Sequence, residues 1–508
     1  MTMQHDPARI PQGSQVRKLT ASIENARQGH GFGAVVQEVW YVVITVALCV
    51  LLVVGVAGGI KESAPNGAGV ATLVGELPGA LALLAAVGGL LSLAGRLGPV
   101  GLGGGGASWW LPMPVDRRGL LRPTVLRWPL ASAAVGGVLA PLAVVLFGAD
   151  VTPGLVLRWA ALGAAAFSAL AAGAALLQPI GSASRIIAAT GEIVMLLAAG
   201  AIAAVALSGR DTSGWTLDGG WLVAVPLAAV AVVATVLAER HSTRLSGAGL
   251  RDRGSVGDRA QVAVLSLDLR ELSGALAAAP HRARRTGSLR LAAGGPRRAI
   301  ALADLVLLSR APRQLAQVAV AALFAVAAGQ VTLTQAGLPL YGVWLVTGFW
   351  ATNAAAAGAR HADLAPVLDR LFPLSARDVR VARGAVPLIA ATVWAAAAFV
   401  GHASTTGQPA WLALLPAWAA VLAAAAVRSA YRPAPRWTAS SVVSPMGGVP
   451  PTGGLFKGLD VALVGTLPTA VVLYSGSLSL TALVVQALVA AVIVAFLVAM
   501  SGRRKNAT

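Results

Sequence analysis

Runs of about 20 apolar residues, each long enough to cross a hydrocarbon core as a helix, recur along the chain. They fall at 39–60, 76–95, 125–147, 155–177, 187–208 and 219–238, then at 316–334, 340–359, 384–401, 409–428, 459–475 and 479–501. This pattern predicts an all-α polytopic membrane protein of about twelve transmembrane helices. The charge between the runs alternates. Segments 96–124, 179–186, 239–315, 360–383 and 429–458, with both tails, hold nearly all of the 39 lysines and arginines. The other connections and their borders offer Lys61, Arg210 and Arg158, beside Glu62, Glu76, Asp150, Asp211 and Asp218. Because basic residues stay on the cytoplasmic side, both termini are expected in the cytoplasm and the chain in the plasma membrane. Trp40, Trp128, Trp215, Trp221 and Trp411 stand near span ends, as interfacial aromatics do.

Composition agrees. Of 508 residues only 12% are charged, against roughly 25% in soluble proteins, so lipid replaces water around most of the chain. A net charge of +19 would suggest a nucleic-acid partner in a soluble protein. The alternation of the arginines assigns that charge to topology instead, and no nucleic acid is expected. The lone Cys49 lies inside an apolar run and the six histidines are dispersed, so no disulfide or metal site is expected. Neither H-E-x-x-H nor G-x-S-x-G occurs in the spans, and no Walker A motif is present. The glycine-rich stretches GLGGGG (101–106) and PTGGLFKG (451–458) lack the Lys-Ser/Thr ending. An enzyme is not expected, nor any cofactor. Residues 1–38 are polar and lack the apolar core of a signal peptide, which predicts a cytosolic, partly disordered tail.

The runs divide into two sets of six. Residues 39–238 would form a first half and 299–501 a second, with a cytoplasmic linker at 239–298 and a tail at 502–508. The linker carries twelve arginines against five acids. Within it, 262–279 suits a short amphipathic helix, and the basic stretch HRARRTGSLR (281–290) suits a solvated segment or one lying on anionic headgroups. Two echoes predict that the halves are a duplication. Shifting 113–118 (MPVDRR) by 259 lays it on 372–377 (FPLSAR), matching Pro114 with Pro373 and Arg118 with Arg377. After the fourth span of each half come QPIG (178–181) and SPMG (444–447). GEIV (191–194) then falls opposite LDVA (459–462), placing Glu192 and Asp460 near the start of the fifth spans. Glu192 is seven residues from Arg185, which suits an interfacial acid paired with an arginine.

The repeated element has a physical logic. Pro112 and Pro114 end the preceding helix, and a charged run cannot rest in hydrocarbon. Asp116 ahead of Leu120 and Leu121 suggests a short helix with an acid at its N-terminus. A loop that only anchors two spans by its arginines would look the same at this level. The shared pattern P-[VL]-x-x-R-x-[LV], at 114–120 and 373–379, resembles the membrane (permease) subunits of ABC exporters. In that family this segment meets a separate ATPase subunit. IALADLVLLSRAPRQLAQ (300–317) is similar to the interfacial elbow preceding the first span of such permeases; its first-half counterpart, GFGAVVQEVW (31–40), is poorer. The chain is also similar to multi-span membrane proteins of actinobacteria. The resemblance implies docking of a separate ATP-binding subunit at Pro114, Asp116, Arg117 and Arg118, and at Pro373, Arg377 and Asp378. It departs from the family in fusing two halves, leaving open whether the chain pairs as a homodimer.

Two other readings stay open. A secondary transporter of the major facilitator type shares twelve spans and a basic loop after the second. Asp116-Arg117-Arg118-Gly119 matches the centre of its loop motif, but Pro112 stands where a glycine belongs and Leu120-Leu121 replace a basic pair. Such carriers keep ionisable groups near mid-membrane, and these spans hold almost none. A non-transporting membrane scaffold is the third reading.

Overall fold

The computed structural model describes residues 12–28, 75–102, 104–147, 152–210, 212, 214–217, 219–265, 294–330, 337–364, 372–431, 443–444, 447–448 and 457–500. The expected span at 39–60, the segment 31–40, the basic stretch 281–290 and the tail 502–508 lie outside these.

Within the expected N-terminal tail, Gly13–Gln28 forms a helix, α1. The first set of long helices is α2 (Glu76–Leu97), α4 (Arg117–Leu146), α5 (Pro153–Leu177), α6 (Ala183–Ser208) and α7 (Gly220–His241), with a short α3 (Gly104–Trp109) in the loop. The linker continues as α8 (Gly247–Leu265), which includes the first residues of the helix expected at 262–279; the rest of that helix lies outside the described residues. The second set opens with α9 (Pro296–Ser309) and α10 (Pro312–Ala328), followed by α11 (Leu338–Ala355) and the short α12 (Ala357–Leu364) and α13 (Ala376–Arg383). Then come α14 (Ala385–Thr406), a 3-10 segment (Pro409–Leu414) leading into α15 (Leu415–Ala430), α16 (Leu459–Ser475) and α17 (Leu480–Met500). A two-residue β ladder joins Val443–Ser444 to Gly447–Gly448.

Eight of the described helices are long and apolar enough to cross a membrane, nine if the bent pair α9–α10 counts as one span. The chain is therefore a multi-span, all-helical membrane protein. The shortfall from twelve has visible causes beyond the undescribed 39–60. Helix α16 is apolar but only 17 residues long. Helix α11 dilutes its apolar residues with Thr347, Thr352 and Asn353.

Local sequence explains the ends. Thr152 accepts a bond from Leu155 N at 3.2 Å and Pro153 follows at the first helical position, which together start α5. Gly209, Gly407 and Gly476, at φ 62°, 66° and 67°, close α6, α14 and α16 in the left-handed conformation that lacks a penalty only for glycine. The short separate helix expected after Asp116 is instead the opening of α4, which runs unbroken from Arg117 through Pro123, Pro129 and Pro141. In its second-half counterpart α13 passes through Gly384, itself in the right-handed helical conformation, into α14, and the two together make one span of 31 residues.

Small residues set the crossings of the first set. A Cβ on Gly136 of α4 would run into the Gly163 carbonyl of α5, and one on Gly88 of α2 would strike Gly191 of α6. Backbones this close gain packing that lipid cannot match. The second set packs instead around aromatic rings. Trp344, Trp394 and Trp418 are fully buried, with Trp394 and Trp418 stacked at 5.7 Å and Phe399 edge-on to Trp344 at 5.1 Å. Trp411 belongs to this core, at 3% exposure, and is not the interfacial residue its sequence position suggested.

The pairings of the two sets correspond in part. Helix α2 packs on α6, α4 and α5, and α11 packs on α16, α14 and α15; α4 packs on α5 as α14 on α15; α5 packs on α7 as α15 on α17. They diverge at the last helix: α7 also packs on α4, whereas α17 packs on α16. The main junction between the sets is α6 against α10, where Ile202 and Ala206 meet Ala327 and Phe324.

Candidate functional site

The repeated charged elements lie at the arginine-rich ends of α4 and α13. In the first, Asp116 caps α4, its two carboxylate oxygens accepting from Arg118 N at 3.1 Å and Gly119 N at 3.0 Å. Its role is thus to satisfy helix-end donors. Pro114, Arg117 and Arg118 are exposed. Arg118 and Arg122 lie 3.5 and 3.3 Å from Glu239 at the end of α7, a pairing in which the arginines are exposed, worth roughly 0–1 kcal/mol. Helix α1 closes over this turn: Gly13 presses on the Asp116 carbonyl, and Arg17 donates to the Gly119 carbonyl at 3.0 Å.

The second copy reaches a similar arrangement with different atoms. Ser375 caps α13, accepting from Asp378 N at 3.1 Å while its hydroxyl donates to the Asp378 carboxylate at 2.8 Å. Arg297 of α9 holds the other oxygen of Asp378 at 2.7 Å. Pro373 and Arg377 are exposed. Helix α9 lies on α13 through Ile300, Val379 and Ala382. A largely buried ion pair locks it there, Arg383 donating to Asp304 at 2.9 Å, with Asp304 pressed on Gly358 of α12. After Ser309 the chain turns by 84° into α10, so 300–317 is two helices with a break before Pro312. In each set, then, an amphipathic helix from upstream sits on the first turn of the charged element. Nothing in the polar residues 1–38 marks α1 for that role; the poorer candidate at 31–40 is outside the described residues.

The two span-start acids part company. Asp460 lies in the first turn of α16, where it accepts from Gly458 N and Val461 N and pairs with Arg428 of α15 at 2.8 Å. Glu192 lies nine residues beyond the start of α6, roughly 13 Å along the axis. Its partners are Arg96 of α2, in close contact, and Arg313 of α10 at 3.7 Å, not Arg185. Ser92 approaches the same carboxylate at 3.5 Å. The cluster borders a cavity of about 160 Å³ between α2, α6 and α10, walled by Gly89, Leu93, Met195 and Ala316 with Gln317 at its side.

Other groups at this face are structural. The QPIG glutamine, Gln178, is buried and grips Val100 twice, accepting its N–H at 2.8 Å and donating to its carbonyl at 2.6 Å. Arg253 of the linker helix donates to Ser184 at 2.7 Å; burial lowers its pKa from the ordinary guanidinium value by desolvation. At the opposite end, Glu76 binds Arg158, Trp159 and the Leu217 amide. Among the described residues no group of His, Cys, Asp and Glu could hold a metal ion.

No curated protein and no solved structure matches the chain. The family described as one of unknown function, DUF6297, matches residues 72–440. That stretch takes in both charged elements, the linker and the Glu192 cluster, and over it the chain belongs to the DUF6297 family.

Proposed function

We propose that the protein is the membrane-embedded permease of an ABC-type export system, energised by a separate ATP-binding polypeptide docking on the arginine-rich face. That face is the cytoplasmic one, by the distribution of basic loops. The observation that carries the reading is the repetition of one built element. In both sets a proline-preceded, side-chain-capped helix start carries exposed arginines, Arg117 and Arg118 or Arg377. In both, an upstream amphipathic helix is clamped onto it, by Arg17 to Gly119 and by Arg297 and Asp304 to α13. A loop serving only to anchor spans by charge needs neither the caps nor the clamps. Asp116, which caps α4, and Asp378, held by the cap Ser375 and by Arg297, hold the shape, and the arginines face the partner. The missing nucleotide motif and the near absence of charge at mid-span support an energy source in another chain.

The test is co-purification. Pull-down of the tagged full chain from native membranes should recover an ATP-binding polypeptide. Arg118→Ala with Arg377→Ala should release it while leaving the chain inserted and monodisperse. Truncating a charge in a desolvated contact costs roughly 2–5 kcal/mol, against about 0.5 kcal/mol or less for a solvated one. Retention of the partner at wild-type level, or repeated recovery of no such polypeptide, would refute docking.

A further inference from the structure

We propose that the cavity between α2, α6 and α10 binds the phosphate group of an anionic amphipath. It holds two guanidiniums, Arg96 and Arg313, against the single carboxylate of Glu192. The two are not equally engaged. Arg96 is in close contact with Glu192, whereas Arg313 approaches it only to 3.7 Å, beyond hydrogen-bond range, with its side chain 26% exposed. An excess positive charge at the edge of hydrocarbon needs an anion to offset it. A guanidinium lining a cavity can offer two phosphate oxygens a fork of donors, which a point charge cannot.

The shape narrows the class. A space of about 160 Å³ is smaller than pockets that enclose a drug-sized molecule, roughly 300 Å³ and above. It therefore takes a headgroup and leaves the rest of the ligand outside. The walls favour an apolar remainder: Leu93, Met195 and Ala316 line them, and a Cβ at Gly89 would meet nothing within 4 Å. The position also matters, because the cavity lies beside the junction of the two sets of helices, where α6 packs on α10. A ligand there touches both. None of this depends on whether an ATP-binding partner docks.

Glu192 makes the proposal testable by sign, since it competes with the ligand for the same guanidiniums. The full chain in neutral detergent would be titrated with short-chain phosphatidylglycerol and phosphatidylcholine, with bound lipid counted by native mass spectrometry. Wild type should prefer the anionic lipid. Arg313→Gln should weaken that binding by about tenfold or more, Arg313→Lys should keep part of it, and Glu192→Gln should tighten it. Size-exclusion profiles report folding; if Arg313→Gln does not fold, Arg313→Lys and Glu192→Gln carry the test alone. Competition by millimolar inorganic phosphate would show that the phosphate group suffices. Lack of competition, with lipid still bound, would show that the amphipath is required. An ion pair that merely joins the helices would make Glu192→Gln and Arg313→Gln fail alike. That result, or a wild type without preference for the anionic lipid, overturns the proposal.

Discussion

Replacing Glu76 with glutamine probes the most closely held carboxylate of the first set. Glu76 opens α2 and accepts from Arg158 Nη2 at 2.5 Å, Trp159 Nε1 at 3.0 Å and Leu217 N at 3.1 Å. The side chains of Glu76 and Arg158 are 7% and 16% exposed. One carboxylate thus ties α2 to α5 and to the connection before α7. Glutamine keeps the shape and one acceptor but sets a neutral amide against the guanidinium. Removing one partner of a buried pair costs about 3–5 kcal/mol, because the other charge stays buried. An unfolding entropy of about 2 cal/mol/K per residue over 508 residues gives a melting shift of roughly 1 °C per kcal/mol, hence roughly 3–5 °C. Helices that persist in the micelle on melting reduce that entropy, so the observed shift should be larger. The assay is thermal unfolding of the purified chain by loss of its size-exclusion peak. Arg158→Met beside Glu76→Gln should recover most of the loss, since a neutral pair leaves no buried charge. A Glu76→Gln protein melting within 1 °C of wild type, or a double mutant worse than the single, would refute the reasoning.

Two further outcomes follow from packing and charge. Gly163→Leu should abolish a monodisperse peak, because even a Cβ there meets the Gly136 carbonyl, whereas Gly173→Leu, where a Cβ meets nothing within 4 Å, should be tolerated; equal behaviour of the two would contradict the close crossing. A reporter active only in the cytoplasm should be active when fused after Arg298 and silent at Gly214, and the reverse pattern would invert the proposed orientation.

What could be read from the sequence divides by distance along the chain. The starts of α2, α16 and α17 fall within a residue of the apolar runs because span length is a local property, set by lipid thickness and helix rise. The opening of α4 differs from expectation for a local reason too. Prolines at 112 and 114 suit the end of one helix and the start of a short one, yet Pro123, Pro129 and Pro141 are absorbed without a break, as membrane-spanning helices can do. The clamps were illegible. Arg17 finds Gly119, and Arg383 finds Asp304, across 102 and 79 residues, and nothing in either segment names its partner. Glu192 shows the same: the arginine near it in sequence is Arg185, while the one it grips is 96 residues away.

The two sets of helices share much of their pairing but not their adhesive, and the difference bears on function. The first set is joined by backbone contact at glycines and by ion pairs at its two ends, Glu76 with Arg158 and Glu192 with Arg96. The second has ion pairs at its helix ends, Arg383 with Asp304 and Arg428 with Asp460, but its interior is joined by rings and by neutral hydrogen bonds. Trp418 Nε1 donates to Thr469 at 2.9 Å, Thr469 to Gln486 at 2.8 Å, and Gln486 to the Gly465 carbonyl at 2.6 Å. Interlocked rings resist sliding, since each has a fixed edge-or-face geometry against its neighbours. A charged cluster that borders a cavity can exchange one anion for another at small structural cost. A chain that moves cargo between its halves needs a rigid reference and a part that responds to ligand. Under the proposed export function, this division of chemistry would make the second set the reference and α2 and α6 the responding part, where Arg313 reaches across from α10 to share their carboxylate.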